Sequence, residues 1–231
     1  MKGKLFILTV IAGIFMLLCS CSTADKDIKV GDKVLKGSNL VEVVNPQVYV
    51  AYLDPSVDYS KYNKIIVQPL NFDKMEIIQP SGGRFNTKFE LTDEDRAKLE
   101  KIYQESMAKQ LQEKGDFKIV KNPGPDVLVF SAVVLQIRPN APKDEDTRGT
   151  GSFRNTIYSE GGGSMSIAAG LYDSESGKAL AELADSKTSS SMWGVNNRVT
   201  NLADVSSMFS QWASQLNTAL KKLQANKIVQ E

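Results

Sequence analysis

The side chains with the most distinctive chemistry in this 231-residue sequence are two cysteine thiols, because the chain has no histidine. Without histidine, Ser-His and Cys-His nucleophile pairs, the commonest general base near neutral pH and most zinc sites are excluded. The two thiols belong to Cys19 and Cys21, which close an apolar run that begins after Lys2 and Lys4. The chemistry that this position predicts is modification of the Cys21 sulfur, not catalysis.

The apolar run from Leu5 to Leu18 has the length of a signal-peptide core and is too short to span a membrane. The segment Leu18-Cys19-Ser20-Cys21 resembles the lipobox of bacterial lipoproteins, with residues 1–20 as a removable signal peptide and Cys21 as the lipidated residue. That resemblance implies a diacylglycerol on the sulfur and an acyl chain on the new amino group. Several chains, at about 0.8 kcal/mol per buried methylene, anchor a protein stably. Ser22 follows Cys21 where an aspartate would favour the inner membrane, so we expect the periplasmic side of the outer membrane.

Two other fates remain open for the amino-terminal segment. An ordinary secretory cleavage after Ser22-Thr23-Ala24 would release the protein from the membrane, because small residues stand at the required positions. Alternatively, the uncleaved segment itself would anchor the chain in the inner membrane.

The charge balance excludes nucleic acid as a partner. The whole chain has 28 basic and 27 acidic residues, and removal of residues 1–20 takes away Lys2 and Lys4 but no acid. A protein that binds phosphate backbones normally has a basic excess or a basic stripe, and this sequence has neither.

Carboxylates remain as possible catalytic groups or metal ligands. Asp144-Glu145-Asp146 superficially resembles a calcium loop, but Arg148 stands where another oxygen ligand is needed. Asp173 and Glu175 lie in a stretch typical of a turn, and Gly161 to Gly163 lack the lysine of a phosphate-binding loop. We therefore expect no catalytic residue, no metal ligand and no cofactor.

Composition divides the chain into three parts. Residues 21–45 are polar and are expected to form the lipidated cysteine and a flexible tether, and residues 46–231 a single domain. Within the domain, residues 139–163 are poor in apolar side chains and predict a long mobile loop. Its Phe153, Ile157 and Tyr158 are candidate anchors for a protein partner, although local packing explains them as well.

Hydrophobic periodicity predicts the elements of the domain. They are a strand over 64–70, a helix capped by Thr92 and Asp95 and ended by Gly115, a short strand over 117–120, a long strand over 126–138, a hairpin over 164–189 with its turn at 173–177, and a last helix capped by Asn201. This order predicts an α+β two-layer sandwich in which a mixed sheet of four or five strands is covered on one face by two long amphipathic helices.

Five stretches resemble an uncharacterised family of bacterial lipoproteins whose domain has no known function. They are Tyr59-Ser60-Lys61-Tyr62-Asn63-Lys64-Ile65-Ile66-Val67, Leu91-Thr92 with Asp95-Arg96, Gly124-Pro125-Asp126-Val127-Leu128, Asp173-Ser174-Glu175-Ser176-Gly177 and Phe209-Ser210-Gln211-Trp212. The element order is also similar to the TolB amino-terminal domain, the curli-secretion lipoprotein and the lipoprotein activators of penicillin-binding proteins. The resemblance implies structural motifs and transfers no catalytic residue.

The leading interpretation is a lipid-anchored, non-catalytic adaptor that binds an envelope protein through its sheet edge, the 139–163 loop or both. One alternative is an enzyme that acts on cell-wall or lipid substrates through carboxylates alone. Another is a carrier of small apolar ligands.

Overall fold

The computed structural model describes residues 27–79, 90–139, 158–160, 163–189, 193–195 and 198–231. The strands are β1 (Ile28–Val34), β2 (Val41–Val43), β3 (Val50–Leu53), β4 (Lys64–Val67), β5 (Glu76–Ile77), β6 (Lys118–Ile119), β7 (Val127–Arg138), β8 (Tyr158–Glu160), β9 (Ser164–Asp173), β10 (Ala179–Thr188), β11 (Trp193–Val195) and β12 (Ile228–Gln230). The helices are α1 (Asp93–Ala108), which continues as a π-helical turn over Lys109–Glu113, and α2 (Arg198–Gln224), and a short 3-10 turn covers Tyr59–Lys61.

One large mixed sheet organises the described part of the chain. Nine of its ten strands run in the order β12-β1-β2-β3-β10-β9-β7-β4-β6, and the tenth, β5, pairs with the far end of β7. The α+β class, the mixed sheet and the two helices confirm the sequence interpretation, but the expected number of four or five strands is wrong. The additional strands have two to seven residues, and local pattern indicates only short extended pieces over 41–44 and 48–50, near β2 and β3.

The polar stretch that the sequence assigns to a tether is part of the sheet from residue 28 onward. Strand β1 pairs in parallel with β12 and antiparallel with β2, and Val30 is 1% exposed. Its lysines and aspartate point outward at a sheet margin, where charged side chains are common. The tether expectation for residues 21–45 is therefore wrong over Ile28–Val34 and Val41–Val43.

Strands β7, β9 and β10 form the centre of the sheet. On β9, Met165, Ile167, Ala169 and Leu171 are buried, as their alternation predicts. They lie beside Leu128, Phe130, Ala132 and Val134 of β7 in one core cluster with both helices. The helices therefore cover a single face of the sheet. Neither α1 nor α2, the described helices, is both long enough and apolar enough to cross a bilayer.

Helix α1 begins as its sequence predicts. The Thr92 hydroxyl accepts from the Asp95 backbone, and the Asp95 carboxylate accepts from the Thr92 backbone at 3.0 Å, which completes a capping box. Its other end differs from expectation, because Gly115 does not adopt a left-handed conformation. Glycine is required there for space: a Cβ would lie 2.5 Å from both Asn217 Oδ1 and the Leu111 carbonyl.

Helix α2 begins at Arg198, so the expected cap at Asn201 is wrong. Its predicted apolar stripe is confirmed, since Phe209, Trp212 and Leu216 are buried against the core. The Trp212 indole also donates a 2.7 Å hydrogen bond to Asp185 of β10, and Lys187 lies 3.4 Å from the same carboxylate. This network fixes the rotation of α2 over the sheet.

Candidate interaction surface

Two polar regions of the domain have the side chains that a functional site requires. The first lies at one end of the sheet, around the buried Asp54. Its carboxylate accepts from the Ser56 backbone and hydroxyl and from Lys178 Nζ at 2.7 Å, and Tyr59 donates to the Asp54 and Leu180 carbonyls. Burial alone would raise the pKa of Asp54, but these hydrogen bonds and the Lys178 charge lower it overall. The carboxylate is ionised, and each of its two oxygens accepts a hydrogen bond from Ser56 or Lys178.

Asp173, at the β9–β10 turn, is the second acid of this end. Its carboxylate accepts from the Tyr62 hydroxyl at 2.7 Å and from the Ser176 hydroxyl and backbone at 2.7 and 2.8 Å. Burial opposes ionisation, but these bonds and the charge of Lys61 lower the pKa of Asp173 to about 2. Gly177, with a φ of 68°, closes the turn in the left-handed region. The sequence interpretation of Asp173 as a turn former is confirmed.

Further contacts join this end of the sheet to the loop before β7. The Ser174 hydroxyl accepts from the Gly124 backbone at 3.0 Å and donates to its carbonyl at 2.9 Å, and Lys64 pairs with Asp126 at 2.7 Å. All these residues belong to the stretches that carry the family resemblance. These hydrogen bonds and this ion pair hold three segments together: the start of β4, the loop before β7 and the β9–β10 turn.

The second region is the face of the sheet opposite the helices, which we call the open face. It is formed by alternate residues of the central strands, and these are half-buried or exposed: Val129, Ser131 and Val133 of β7, Ser166, Ala168 and Tyr172 of β9, and Glu182, Ala184 and Ser186 of β10. Neither of the described helices packs on this face. Its small and apolar side chains form a surface with few charges.

One row of the open face concentrates aromatic and charged groups. Glu182 of β10 lies opposite Tyr52 of β3 on one side and opposite Gly170 of β9 on the other. The phenol of Tyr172 lies over Gly170, where a Cβ would meet the Tyr172 Oη at 2.6 Å. Burial, and then the negative charge of Glu182, raises the pKa of Tyr172. The two tyrosines therefore flank one carboxylate.

The row continues across β2 and β1. Glu42 lies opposite Tyr52, and its carboxylate is 3.4 Å from Lys33 Nζ. The hydrogen bond and charge of Glu42, followed by Tyr52, raise the pKa of Lys33. Glu42 is thus neutralised by its neighbour. By contrast, no ion pair or hydrogen bond joins Glu182 to any residue that the structure describes.

The site residues that the sequence predicted are placed only in part. Cys21, Phe153 and Ile157 lie outside the described residues, as does the 144–146 segment. Tyr158 begins β8, which pairs with β11, so the end of the supposed 139–163 loop contains a strand. Within the described ranges, no group of three or more acidic or cysteine side chains is arranged to hold a metal ion.

The sequence does not predict that Glu182 lies between two tyrosines. Tyr52, Tyr172 and Glu182 come from three strands, and only the pairing register brings them together. The one local signal is the polar position of Glu182 within the otherwise apolar first half of β10, from Ala179 to Ala184.

A family model describing a protein of unknown function, DUF3313, matches residues 32–216 of the chain. The chain belongs to the DUF3313 family. The match runs from the last residues of β1 through β11 and most of α2, and it confirms the resemblance to a family whose domain has no known function. Among curated proteins, no relative matches the chain.

Several solved structures are similar to parts of the chain at low identity. PelC from Paraburkholderia phytofirmans, solved as a dodecamer, is 14% identical, with a TM-score of 0.38 over 68% of this chain and 90% of that one. A DUF330 protein from Xanthomonas campestris is 11% identical, with a TM-score of 0.39 over 70% and 86%. A putative lipoprotein from Caulobacter crescentus is 14% identical, with a TM-score of 0.26 over 66% and 86%. Likenesses of this size carry no functional argument.

Proposed function

We propose that this DUF3313 protein is a lipid-anchored lipoprotein of the cell envelope whose domain binds another protein and catalyses no reaction. In this proposal Cys21 holds the chain on the periplasmic side of the outer membrane, and the open face of the sheet receives the partner. The observation that carries the proposal is the asymmetry of the sheet, which has the two described helices on one face and half-buried or exposed side chains on the other.

The open face has the composition of a docking surface. Valine, alanine and serine side chains provide apolar and weakly polar area, and Tyr52 and Tyr172 provide the aromatic groups that are enriched at protein interfaces. The two acids at the end of the sheet have a structural explanation instead. Asp54 and Asp173 are held ionised by hydrogen bonds from their own neighbours, so we assign them to stability and not to catalysis.

Site-specific photocrosslinking in intact cells tests the docking proposal. A photoreactive amino acid replaces Ala184 at the middle of the open face, and a control places the same group at Lys101 on the exposed side of α1. We expect a discrete crosslinked product from position 184 and none from position 101. Absence of product from Ala184 and from a second open-face position, Ser166, would contradict the proposal.

The anchor is tested separately by replacing Cys21 with alanine. We expect the wild-type chain in the membrane fraction with an acylated Cys21 at its mature amino terminus in mass spectrometry, and Cys21→Ala either unprocessed or free of membranes. A wild-type mature chain that begins at Asp25 and washes from membranes would contradict the anchor but leave the docking result intact.

A further inference from the structure

We propose that Tyr52, Glu182 and Tyr172 form a site that receives an arginine side chain of the partner protein. This inference rests on the proposed function and specifies the chemistry of the partner. It follows from a carboxylate without a counter-ion, from two aromatic rings beside it, and from the neutral state of the rest of the row.

The carboxylate is the first step of the argument. Glu182 is half-buried on the open face and has no ion pair or hydrogen bond to the part of the chain that the structure describes. A partly desolvated charge without a partner is unfavourable, and the cost rises when a docking protein removes the remaining water. A bound partner must therefore bring a positive group to this point.

The neighbouring acid does not need a partner. Glu42 lies one strand beyond Tyr52 and already pairs with Lys33 at 3.4 Å. Among Glu182, Glu42 and Lys33, the charged residues named in this row, only Glu182 lacks an opposite charge, and one positive group restores neutrality.

The tyrosines decide which positive group fits. Directly opposite residues of antiparallel strands have Cβ atoms about 4.5–5.5 Å apart, so the Tyr52 and Glu182 side chains leave the sheet side by side, while the Tyr52 hydroxyl interacts with Lys33 on the far side of β2. On the other side, the absence of a side chain at Gly170 allows the Tyr172 phenol to lie beside the same carboxylate. A planar guanidinium stacks on aromatic rings and forms two parallel hydrogen bonds to a carboxylate, whereas an ammonium offers only a point charge. The arrangement therefore favours arginine over lysine.

A small probe tests the site without knowledge of the partner. The full-length protein in detergent, with ¹³C-labelled tyrosine, is titrated with Nα-acetyl-arginine amide and with the uncharged isostere Nα-acetyl-citrulline amide. We expect NMR shifts at Tyr52 and Tyr172 with the arginine compound and an affinity for citrulline about tenfold lower. Equal responses to the two compounds, or responses at other tyrosines only, would overturn the inference.

Two glutamate variants provide the matched comparison. Glu182→Gln removes the charge with almost no change in shape and is expected to weaken arginine binding about tenfold. Glu175→Gln makes the same chemical change at the exposed β9–β10 turn and is expected to bind as the wild type does. Unfolding curves verify that both variants fold, and Tyr52→Leu, which keeps Glu182 but removes a ring, is a second independent test. Binding unaffected in both Glu182→Gln and Tyr52→Leu would overturn the site.

The crosslinks from Ala184 separate this inference from the proposed function. If the crosslinked partner peptide contains an arginine whose substitution by glutamine abolishes the product, the inference is supported. If the peptide has no arginine, the docking proposal stands and the arginine site is wrong. If no open-face position gives a product, both are wrong.

Discussion

Replacement of Asp173 by asparagine gives the sharpest test of how the end of the sheet is held together. The carboxylate accepts hydrogen bonds from Tyr62 and Ser176, and its pKa falls from 3.8 to about 2 in the folded protein. Each pKa unit corresponds to about 1.4 kcal/mol, so ionised Asp173 contributes about 2 kcal/mol to the free energy of unfolding at neutral pH. The Asp173→Asn variant should lose about this amount at pH 7.

The pH dependence distinguishes this charge effect from simple loss of packing. Because the folded-state pKa is depressed, the stabilisation is fully present above the unfolded-state pKa of 3.8 and is lost as pH falls toward 2. At pH 3 the deficit of the variant should be roughly half its value at pH 7, since the wild type weakens while the variant has no carboxylate to protonate.

Urea unfolding followed by tryptophan fluorescence at pH 7, 5, 4 and 3 provides the measurement, with Glu175→Gln as the control. Glu175 lies exposed in the same turn, so its amide variant should follow the wild type at every pH. A deficit of Asp173→Asn that stays constant from pH 7 to pH 3 would refute the electrostatic explanation.

Three further changes test the core and the helix ends by shifts in the urea midpoint. Trp212→Ala should cost about 3–5 kcal/mol, because it empties a buried site and removes the donor to Asp185. Gly115→Ala should cost about 1–3 kcal/mol, since the new methyl group would lie 2.5 Å from Asn217 Oδ1. An unchanged midpoint would contradict this, because it would mean that the backbone around residue 115 shifts without cost. Thr92→Ala should cost about 1 kcal/mol through loss of the helix cap, with Thr92→Ser expected to retain most of it.

The elements that the sequence predicts well are those whose signals are local. The capping box of Thr92 and Asp95 joins residues three apart, and the alternation from Met165 to Leu171 lies within one strand. The β9–β10 turn likewise depends on Asp173 and Gly177, which are four residues apart. Such patterns involve residues only a few positions apart, so they can be recognised without knowledge of any tertiary contact.

The strands that the sequence does not predict depend on distant partners. The sequence of β1 resembles a polar tether because Gly31, Asp32 and Lys33 interrupt its apolar residues, and its parallel partner β12 begins at residue 228. No local pattern predicts the pairing of two strands that lie about 200 residues apart in the sequence. The same holds for the candidate site, since Tyr52 and Glu182 become neighbours only when β3 pairs with β10.

The structure also explains why the family resemblance transfers no chemistry. The resembling stretches contribute the Tyr62 bond to Asp173, the Ser174 contacts to Gly124 and the Trp212 bond to Asp185. Each of these contacts fixes one element against another, and none lies on the open face. The residues that identify the fold are thus separate from the residues to which we assign recognition. It follows that substitutions at Asp173 or Trp212 should lower stability at any partner concentration, whereas Glu182→Gln should weaken binding at unchanged stability. A Glu182→Gln protein that unfolds more easily than wild type by more than about 1 kcal/mol would contradict this separation.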